Sequence, residues 1–287
     1  MIRKLFIAAA TIGLSAGITA GAVQAQLPPG FKKQELTKIS DAVYSFRNMF
    51  HRTWFMVTDE GVIVADPINE GAAKAMLAEI RKVTDKPIKY LLYSHEHGDH
   101  ASGGQVFKDA GATLVSHADC VKHMKRGGLT PATMTWKGAH TITLGGKSVE
   151  MFNFGPSHGH CMSVMRIPSE NLGFIVDIVS PGSVAFKTMR ESDPDNWIAT
   201  LRKIEAMDFA RFIPGHGPPT APKSAVTEMR EYMELLSSSV KMALAMGKDP
   251  TAIATDGTLA KYAKWRGYKD WVPMNIERMV RWHKEGK

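Results

Sequence analysis

Tyr93-Ser94-His95-Glu96-His97-Gly98-Asp99-His100 is the stretch around which the rest of this sequence can be interpreted. Four residues of types that can bind metals fall within six positions, behind an apolar run from Ile88 to Tyr93 that is typical of a buried strand. Because side chains alternate in extended chain, His95 and His97 point the same way past the strand end. Gly98 permits a sharp turn, so that Asp99 and His100 face a second point nearby. The layout predicts two metal ions rather than one, against the alternative of a polar loop with scattered histidines.

Three later segments each end a predicted strand with a residue that binds metals. A single histidine after a turn is more often solvated than bound to a metal, so each segment alone is a weak indication. Together with the first loop they supply seven ligand-type residues at strand ends, where a rigid sheet positions functional loops. The three segments are Phe154-Gly155-Pro156-Ser157-His158, Phe174-Ile175-Val176-Asp177 and Phe212-Ile213-Pro214-Gly215-His216-Gly217.

The elements predicted around these segments are those of an α/β protein. Strands and helices alternate through the first half of the chain, with a helix that Asn69 can cap between two apolar strands. Short strands follow from Thr141 onward, and the residues beyond Pro222 carry apolar stripes at helical spacing. This order predicts a layered α/β catalytic domain over residues 26–220, with a C-terminal helical extension over residues 221–287 packed on it.

The first 25 residues have the pattern of a secretory signal peptide. They begin with the basic Arg3 and Lys4, continue with an apolar stretch rich in Ala and Gly, and end in Val23-Gln24-Ala25. Small residues there occupy the positions that a signal peptidase reads. We expect cleavage after Ala25 and a periplasmic or secreted protein without stable membrane association. A retained membrane anchor is the alternative, but its Ala and Gly content makes this stretch a poor membrane span.

Charge and cysteine content narrow the classes of partner. Loss of Arg3 and Lys4 would lower the formal net charge of +8 by two, which leaves a basic protein. The remaining Lys and Arg residues are dispersed, without a basic run or an alternation with aromatics, so we expect no nucleic-acid partner and a small-molecule substrate instead. The two cysteines, Cys120 and Cys161, are too few for a disulfide framework. We expect both to be reduced.

The order of these motifs resembles the metallo-β-lactamase superfamily of dinuclear metallohydrolases. His-Glu-His-Gly-Asp-His is followed by Gly-Pro-Ser-His, Val-Asp and Pro-Gly-His-Gly, and the resemblance covers roughly residues 35 to 220. It implies a four-layer αββα sandwich with the metals at one edge. It also implies which residues bind which ion. The first metal would be bound by His95, His97 and His158, the second by Asp99, His100 and His216, and both by a bridging Asp177.

The chemistry of these residues suits two Zn²⁺ ions, with other divalent metals as the alternative. Imidazole and carboxylate ligands without thiolates are typical of catalytic rather than closed structural zinc sites. Two ions about 3.5–4 Å apart can share a hydroxide that attacks a carbonyl carbon, so neither a Ser nor a Cys nucleophile is required. We assign Asp99 a further catalytic task, the transfer of a proton to the leaving group. Asp66 either orients a ligand histidine from behind or only caps a turn.

Several branches of this superfamily share the same ligands. β-Lactamases of the related branch typically lack the bridging carboxylate, so Asp177 and the Pro-Gly-His-Gly motif at His216 resemble the lactonase and thioesterase relatives more closely. An iron-dependent flavoprotein relative would have a His-x-Glu motif at the positions of His95-Glu96-His97, so this sequence does not match that branch. We therefore expect an exported hydrolase of a carboxylic ester or lactone. The alternatives are a β-lactamase, a thioesterase, and a non-catalytic member that holds metals and binds a small molecule.

The residues expected to contact the substrate lie outside the ligand motifs. Phe50, His51 and Trp54, around the connection between the first strands, are predicted to shape an acyl pocket together with the helical extension. His160 follows His158 by two residues and is a further candidate for substrate contact, with a surface role as the alternative. Glu96 alternates away from its two histidine neighbours and is expected to point out of the site.

Overall fold

Two β-sheets packed face to face form the centre of the protein, seen in a computed structural model that describes residues 32–286. The first sheet has seven strands, adjacent to one another in chain order. They are β1 (Gln34–Lys38), β2 (Val43–Asn48), β3 (His51–Val57), β4 (Val62–Ala65), β5 (Ile88–Leu92), β6 (Thr113–His117) and β7 (Met134–Trp136). The second sheet has six strands, also adjacent in chain order. They are β8 (Ala139–Leu144), β9 (Lys147–Phe152), β10 (Val164–Ile167), β11 (Leu172–Ile175), β12 (Arg211–Pro214) and β13 (Ala221–Pro222).

Strand direction in each sheet follows from the length of the connections. Short turns join β1 to β4 as an antiparallel meander, whereas β4, β5, β6 and β7 run parallel. Parallel neighbours need a crossover connection, and helices supply several of them. In the second sheet only the β11–β12 pair is parallel, and the long segment between these two strands contains a helix.

Helices cover the outer face of each sheet. On the first sheet they are α1 (Glu70–Val83), α2 (Gly98–Ala101), α3 (Gly104–Asp109) and α4 (Cys120–Arg126), and on the second they are α5 (Pro194–Ala206), α6 (Ser224–Ala245) and α7 (Tyr268–Glu285). Asn69 caps α1 as predicted, since its side chain accepts a hydrogen bond from the Ala72 amide. No helix within residues 32–286 is long and apolar enough to cross a membrane.

The apolar core lies in three layers that correspond to this arrangement. Between the sheets, Trp54 and Met56 of β3 pack with Phe174 of β11 and Ile213 of β12, all fully or almost fully buried. Two further buried clusters lie between each sheet and its helices. The predicted αββα sandwich with C-terminal helices is therefore confirmed.

Two features differ from the sequence-based expectations, and two further predictions are not tested by the described residues. The connection expected over residues 48–52 is shorter, because β2 and β3 extend to a tight turn at Met49 and Phe50, where Met49 has a φ of 52°. The extension is not continuously helical, since residues 246–267 between α6 and α7 form short 3₁₀ turns and loops. The signal peptide predicted over residues 1–25 lies outside the described residues. The boundary at residue 220 stays a prediction, because the chain from Lys33 onward forms one compact unit.

Candidate metal centre

The seven predicted ligand residues follow four strands and converge at one edge of the sandwich. His95, His97, Asp99 and His100 come from the loop after β5 and the start of α2. His158 follows β9, Asp177 follows β11, and His216 follows β12. Because β5, β11 and β12 end at the same edge, loops far apart in sequence bring their side chains together.

The carboxylate of Asp177 is at the centre of this cluster. Its Oδ2 lies 3.6 Å from Nε2 of each of three histidines, His95, His100 and His158. Its Oδ1 lies 3.1 Å from Nε2 of His216. A separation of 3.6 Å is too long for a hydrogen bond. It is the separation expected for two ligand atoms that bind the same ion, each at about 2.0–2.2 Å from it.

The donor atoms divide into two groups, and within each group they all lie within 4.8 Å of one another. In the first group, Nδ1 of His97 lies 3.2 Å from Nε2 of His158. In the second, Nε2 of His100 lies 3.4 Å from Nε2 of His216. The groups are His95, His97, His158 and Asp177, and Asp99, His100, His216 and Asp177. These are the two sets that the resemblance implied, with Asp177 common to both.

Asp66 and Ser94 orient His95 from behind. The fully buried Asp66 accepts hydrogen bonds from the Ser94 amide at 2.7 Å and from the Ser94 hydroxyl at 2.6 Å. Because that hydroxyl donates its only proton to Asp66, Nδ1 of His95, which lies 2.8 Å away, must donate to Ser94 Oγ. Nε2 of a neutral His95 is therefore an acceptor that faces the Asp177 carboxylate.

The orientation of the His95 ring indicates whether these residues fit a metal centre. Nε2 of His95 is buried and has no hydrogen-bond partner among residues 32–286. A buried acceptor without a partner costs about 1–3 kcal/mol, and this one faces another acceptor, Oδ2 of Asp177. A cation between Nε2 of His95 and Oδ2 of Asp177 would give both acceptors a partner and remove the repulsion between them. Imidazole and carboxylate donors suit Zn²⁺, so the donor set fits the predicted ion.

Two further side chains lie next to the ligands: Glu191, which was not predicted, and His51, which was. Glu191, which no motif marks, places Oε2 3.1 Å from Nε2 of His97 and so leaves Nδ1 of that ring to face His158. Such carboxylate–histidine pairs orient metal ligands and raise their basicity. His51 was predicted to contact substrate. Its Nε2 lies 3.2 Å from Oδ2 of Asp99, and its ring packs edge-on against the ring of His216.

Burial and mutual charge determine the protonation of these groups in the absence of an ion. Burial and the nearby His97 lower the pKa of His95 well below its usual value. Burial also lowers the pKa of His158 to about 4. Burial would likewise lower the pKa of His100, but the carboxylates of Asp177 and Asp66 outweigh it and raise that pKa to about 9. Burial would raise the pKa of Asp99, but the hydrogen bond from His51 and the charge of His100 lower it instead. The carboxylates are therefore ionised and available as ligands at neutral pH.

Gly215 is required for the close approach of the β12 loop to the ligands. A Cβ atom there would lie 2.7 Å from Cγ1 of Val176, 2.9 Å from Oδ1 of Asp177 and 3.0 Å from Cε1 of His100. Any side chain at this position would therefore displace the bridging carboxylate or a ligand ring. The Pro-Gly-His-Gly motif thus combines a ligand with the space that the ligand cluster needs.

Both cysteines were expected to be reduced, and this expectation is wrong. Cys120 and Cys161 form a disulfide bond with a Cα–Cα distance of 5.2 Å. Their separation of 41 residues gave no indication of proximity, because the pairing depends on α4 packing against the loop after His158. The disulfide therefore joins the outer helix layer to the loop that carries one ligand.

Glu96 lies where it was expected, whereas the expectation for His160 needs correction. Glu96 points away from the ligand cluster as expected, but its side chain is only 5% exposed and does not reach solvent. Its Oε1 accepts hydrogen bonds from the backbone amide and Nδ1 of His160. His160 stacks on His123 with ring centroids 4.2 Å apart and does not line the cavity at the ligand cluster. It therefore supports the loop and is not placed to contact substrate.

A cavity of about 640 Å³ opens directly over the ligand cluster. The predicted residues Phe50 and His51 line it, and the Phe50 ring is 53% exposed. Trp54 does not line it, so the prediction for this residue is wrong. Its side chain points into the core between the sheets and meets Phe174 edge-on, because alternation along β3 directs it inward. The far wall comes from the loop after Asp177 and from the C-terminal extension.

Comparisons with known proteins agree with this geometry. Residues 47–216 match the family model of the metallo-beta-lactamase superfamily. A metallo-beta-lactamase from Pontibacter korlensis superimposes with a TM-score of 0.64 at 18% identity, covering 70% of this chain and 99% of that chain. The mono-zinc form of metallo-beta-lactamase FIM-1 from Pseudomonas aeruginosa gives a TM-score of 0.64 at 19% identity, covering 72% and 97% of the two chains. At these identities the likeness shows the fold alone.

Two characterised relatives are similar in sequence. The 2,4-dinitroanisole O-demethylase subunit alpha of Nocardioides sp. (strain JS1661) is 26% identical over 180 residues, 61% of this chain and 55% of that protein. The linear primary-alkylsulfatase of Pseudomonas sp. (strain ATCC 19151) is 24% identical over 222 residues, 59% of this chain and 42% of that protein. The chain thus spans about half the length of these relatives.

The length of the match to the family model establishes the family to which the chain belongs. Members of this superfamily are mostly hydrolases and typically bind zinc. The matched residues make up more than half of the chain and include Asp177 and the six other side chains of the ligand cluster. The chain therefore belongs to the metallo-β-lactamase superfamily.

Proposed function

We propose that this protein is an exported hydrolase that holds two Zn²⁺ ions and cleaves a carboxylic ester or a lactone. One observation carries the proposal. Oδ2 of Asp177 lies 3.6 Å from Nε2 of three histidines, which places one carboxylate where two ligand groups meet. This arrangement supports a centre of two ions with a shared carboxylate, at the floor of a cavity open to a small molecule.

The ions and the protein would have separate tasks. Zn²⁺ held by these groups would polarise a carbonyl oxygen and lower the pKa of water toward neutrality. The chain itself orients the ligands, through Ser94 behind His95 and Glu191 behind His97. Asp99, whose side chain is 50% exposed and lines the cavity, is held by His51. Its ionised carboxylate would accept the proton that the attacking water loses and pass it to the leaving oxygen. The exposed Phe50 ring would contact the apolar part of the substrate.

Two features support the export part of the proposal. Residues 1–25 have the pattern of a signal peptide, and the chain contains the Cys120–Cys161 disulfide. Disulfides persist mainly in oxidising compartments such as the bacterial periplasm. Cell fractionation tests this part directly. Recovery of residues 26–287 from the periplasmic or secreted fraction is expected, and an uncleaved cytoplasmic chain would contradict it.

A sulfate ester is a second candidate substrate. One similar protein is a linear primary-alkylsulfatase, and the cavity here has apolar walls suited to an alkyl chain. Sulfate and carboxylic esters both lose an oxygen leaving group, so the same ligand cluster and Asp99 could serve either reaction. The two candidates differ only in the group that lies over the ligands.

A hydrolysis panel with the zinc-loaded mature protein tests the proposal. The panel contains 4-nitrophenyl hexanoate, a medium-chain lactone, a thioester, a β-lactam and octyl sulfate. We expect turnover of the ester or the lactone, and a loss of at least 10³-fold on substitution of Asp177→Ala, since removing the shared carboxylate breaks both ligand groups. Asp41→Ala is the matched control, because Asp41 is a fully exposed aspartate outside the cavity whose ion-pair partner within residues 32–286 is Lys38.

Each other outcome of the panel supports a different reading. Hydrolysis of octyl sulfate alone would replace the ester by the sulfate ester, and hydrolysis of the β-lactam or thioester alone would favour those enzymes. If the protein holds two zinc ions and cleaves none of the five, it is a binding protein and the hydrolase proposal fails.

A further inference from the structure

The far wall of the cavity is built from two segments that are distant in the sequence. One is the loop after Asp177, here called the 183–191 loop, and the other is the turn over residues 266–271 at the start of α7. The second segment lies beyond residues 47–216, which are the part of the chain that matches the family model. The part of the wall formed by residues 266–271 therefore belongs to the C-terminal extension and lies outside the matched region.

The two segments are joined by backbone hydrogen bonds. The amide of Arg266 donates to the carbonyl of Gly182 at 2.9 Å, and the amide of Val184 donates to the carbonyl of Arg266 at 3.2 Å. Ser183 and Arg266 form a parallel bridge between them. The backbone of Arg266 is thus fixed at the cavity wall, so its side chain starts from a defined position.

Aromatic rings hold the Arg266 side chain. Its guanidinium lies over the Trp271 ring at 5.7 Å, and Trp271 meets Phe186 edge-on at 5.0 Å. Gly267 makes this possible. It has a φ of 78°, and a Cβ there would lie 2.1 Å from the Trp271 ring. A planar guanidinium stacked on an aromatic ring keeps its edge free for a carboxylate or a similar oxyanion.

Arg266 has no acidic partner in the described part of the chain. Its Nε lies 3.5 Å from Ser183 Oγ, and its terminal nitrogens have no hydrogen bond or ion pair within residues 32–286. Lys187 and Arg190 also line the cavity and have no carboxylate within ion-pair distance in the described chain. Apart from the ligand aspartates, the one acidic residue that lines the cavity is Glu191, which is hydrogen-bonded to His97.

We propose that Arg266 binds an anionic group at the far end of an otherwise apolar substrate. The substrate class is an ester or lactone whose apolar body lies along Phe186 and Trp271, with a carboxylate or sulfonate-like group away from the bond that is cleaved. This inference rests on the proposed function for the reaction, but not for the binding of the anion. A cation that has no acidic partner and lies beside apolar walls complements an amphiphilic anion better than a neutral lipid.

Matched substrates separate this inference from the proposed function. 4-Nitrophenyl hexanoate is compared with mono(4-nitrophenyl) adipate, which has the same number of carbons and ends in a carboxylate, and the comparison is repeated with the eight- and ten-carbon pairs. The measured quantity is the ratio of kcat/KM for the carboxylated ester to that for the neutral ester. We expect the ratio to exceed 10 for at least one chain length and to fall at least tenfold in Arg266→Gln. Arg266→Lys, which keeps the charge, should recover part of the ratio.

Arg281→Gln is the matched control, since Arg281 is an exposed arginine of α7 that does not line the cavity. Its ratio should equal that of the unaltered protein. Neutral-ester turnover alone tests the proposed function. If the neutral esters are cleaved but the ratio stays near one, or is the same in Arg266→Gln, the inference about Arg266 is overturned while the proposed function stands.

A binding measurement decides the case in which no ester is cleaved. Octane-1-sulfonate is titrated calorimetrically into chelator-treated protein, so that no metal can bind the sulfonate. We expect Arg266→Gln to weaken binding at least tenfold and Arg281→Gln to leave it unchanged. Equal binding by all three proteins, or none by any of them, would refute the anion site.

Discussion

The side chain of Asn275 on α7 donates from Nδ2 to the carbonyl of Lys187 at 2.6 Å and to the carbonyl of Ala185 at 3.1 Å. Its Oδ1 accepts the hydroxyl proton of Tyr232 at 2.6 Å. Asn275 is fully buried, so these bonds are not exchanged with water. One side chain of the C-terminal extension thus holds the loop that forms the cavity wall. Arg278, one turn further along α7, donates to the carbonyls of Met189 and Ser192 in the same region.

Substitution of Asn275→Ala should destabilise the protein and loosen the cavity wall. Two loop carbonyls and the Tyr232 hydroxyl lose their partner, and each buried unsatisfied group costs about 1–3 kcal/mol. We expect the free energy of unfolding in urea to fall by about 3 kcal/mol, with a rise in KM. Tyr232→Phe removes only one of these bonds and serves as a graded comparison. An unchanged urea midpoint in Asn275→Ala would show that the loop is held by other contacts.

Metal content should be two ions per mature chain. The two donor groups share only Asp177, so substitution of His158→Ala or His216→Ala should weaken one site and leave the other. Asp177→Ala should weaken both. Plasma emission spectrometry after dialysis against buffered zinc measures the stoichiometry. A single ion in the unaltered protein, with no response to His216→Ala, would contradict a dinuclear centre.

Metal affinity should rise with pH between about pH 6.5 and 9. Burial would lower the pKa of His100, but Asp177 and Asp66 raise it to about 9, so the metal-free protein carries a proton there at neutral pH. The ion binds only the neutral ring, so that proton must leave and affinity increases as the proton is lost. Calorimetry in two buffers of different ionisation enthalpy should detect proton release at pH 7.5. No release at that pH would mean that His100 is already neutral.

Glu191→Gln should weaken zinc binding without unfolding the protein. The carboxylate that faces Nε2 of His97 is replaced by an amide, which keeps the size but loses the charge. Loss of such a partner typically weakens metal affinity about 10–100-fold. Competition with a chromophoric chelator measures the affinity, and Glu60→Gln is a control at an exposed turn. The same affinity in both variants would indicate that Glu191 only lines the cavity.

Reduction of the disulfide should lower stability. The bridge closes a segment with a sequence separation of 41, and the chain-entropy model gives about 4 kcal/mol for a loop of this length. We expect the Cys120→Ser, Cys161→Ser double variant to lose about 2–4 kcal/mol of unfolding free energy. The unaltered protein in reducing buffer should show the same loss. If reducing buffer leaves the urea midpoint of the unaltered protein unchanged, the bond does not contribute to its stability.

Local patterns in the sequence were sufficient for the layered α/β class and for the ligand-type residues, whereas the αββα sandwich was implied by the resemblance to the superfamily. Strand periodicity locates the strands, and a ligand at a strand end can be identified without knowledge of its distant partners. The loop from His95 to His100 is such a case, because four donors in one short segment carry information that packing does not alter. The structure adds to it the distances of 3.6 Å that show the Asp177 carboxylate lying between the two donor groups.

Expectations failed where the outcome depended on which distant surfaces meet. Trp54 was assigned to the pocket because it lies near Phe50 in sequence, but its place on β3 directs it into the core. Cys120 and Cys161 were expected to be reduced because sequence separation says nothing about proximity. The contact of Glu191 with His97 was not predicted, because a single carboxylate in a loop forms no local sequence pattern.

The sequence by itself therefore determined the layered architecture and the seven donors at strand ends, since both follow from periodicity and from side-chain chemistry within short segments. Only the tertiary structure decided the disulfide, the pairing of Glu191 with His97, and the cavity wall that joins Arg266 to the 183–191 loop. These contacts depend on how α4 and α7 pack on the sandwich. Packing is a property of complementary surfaces far apart in the chain, which no single stretch of sequence contains.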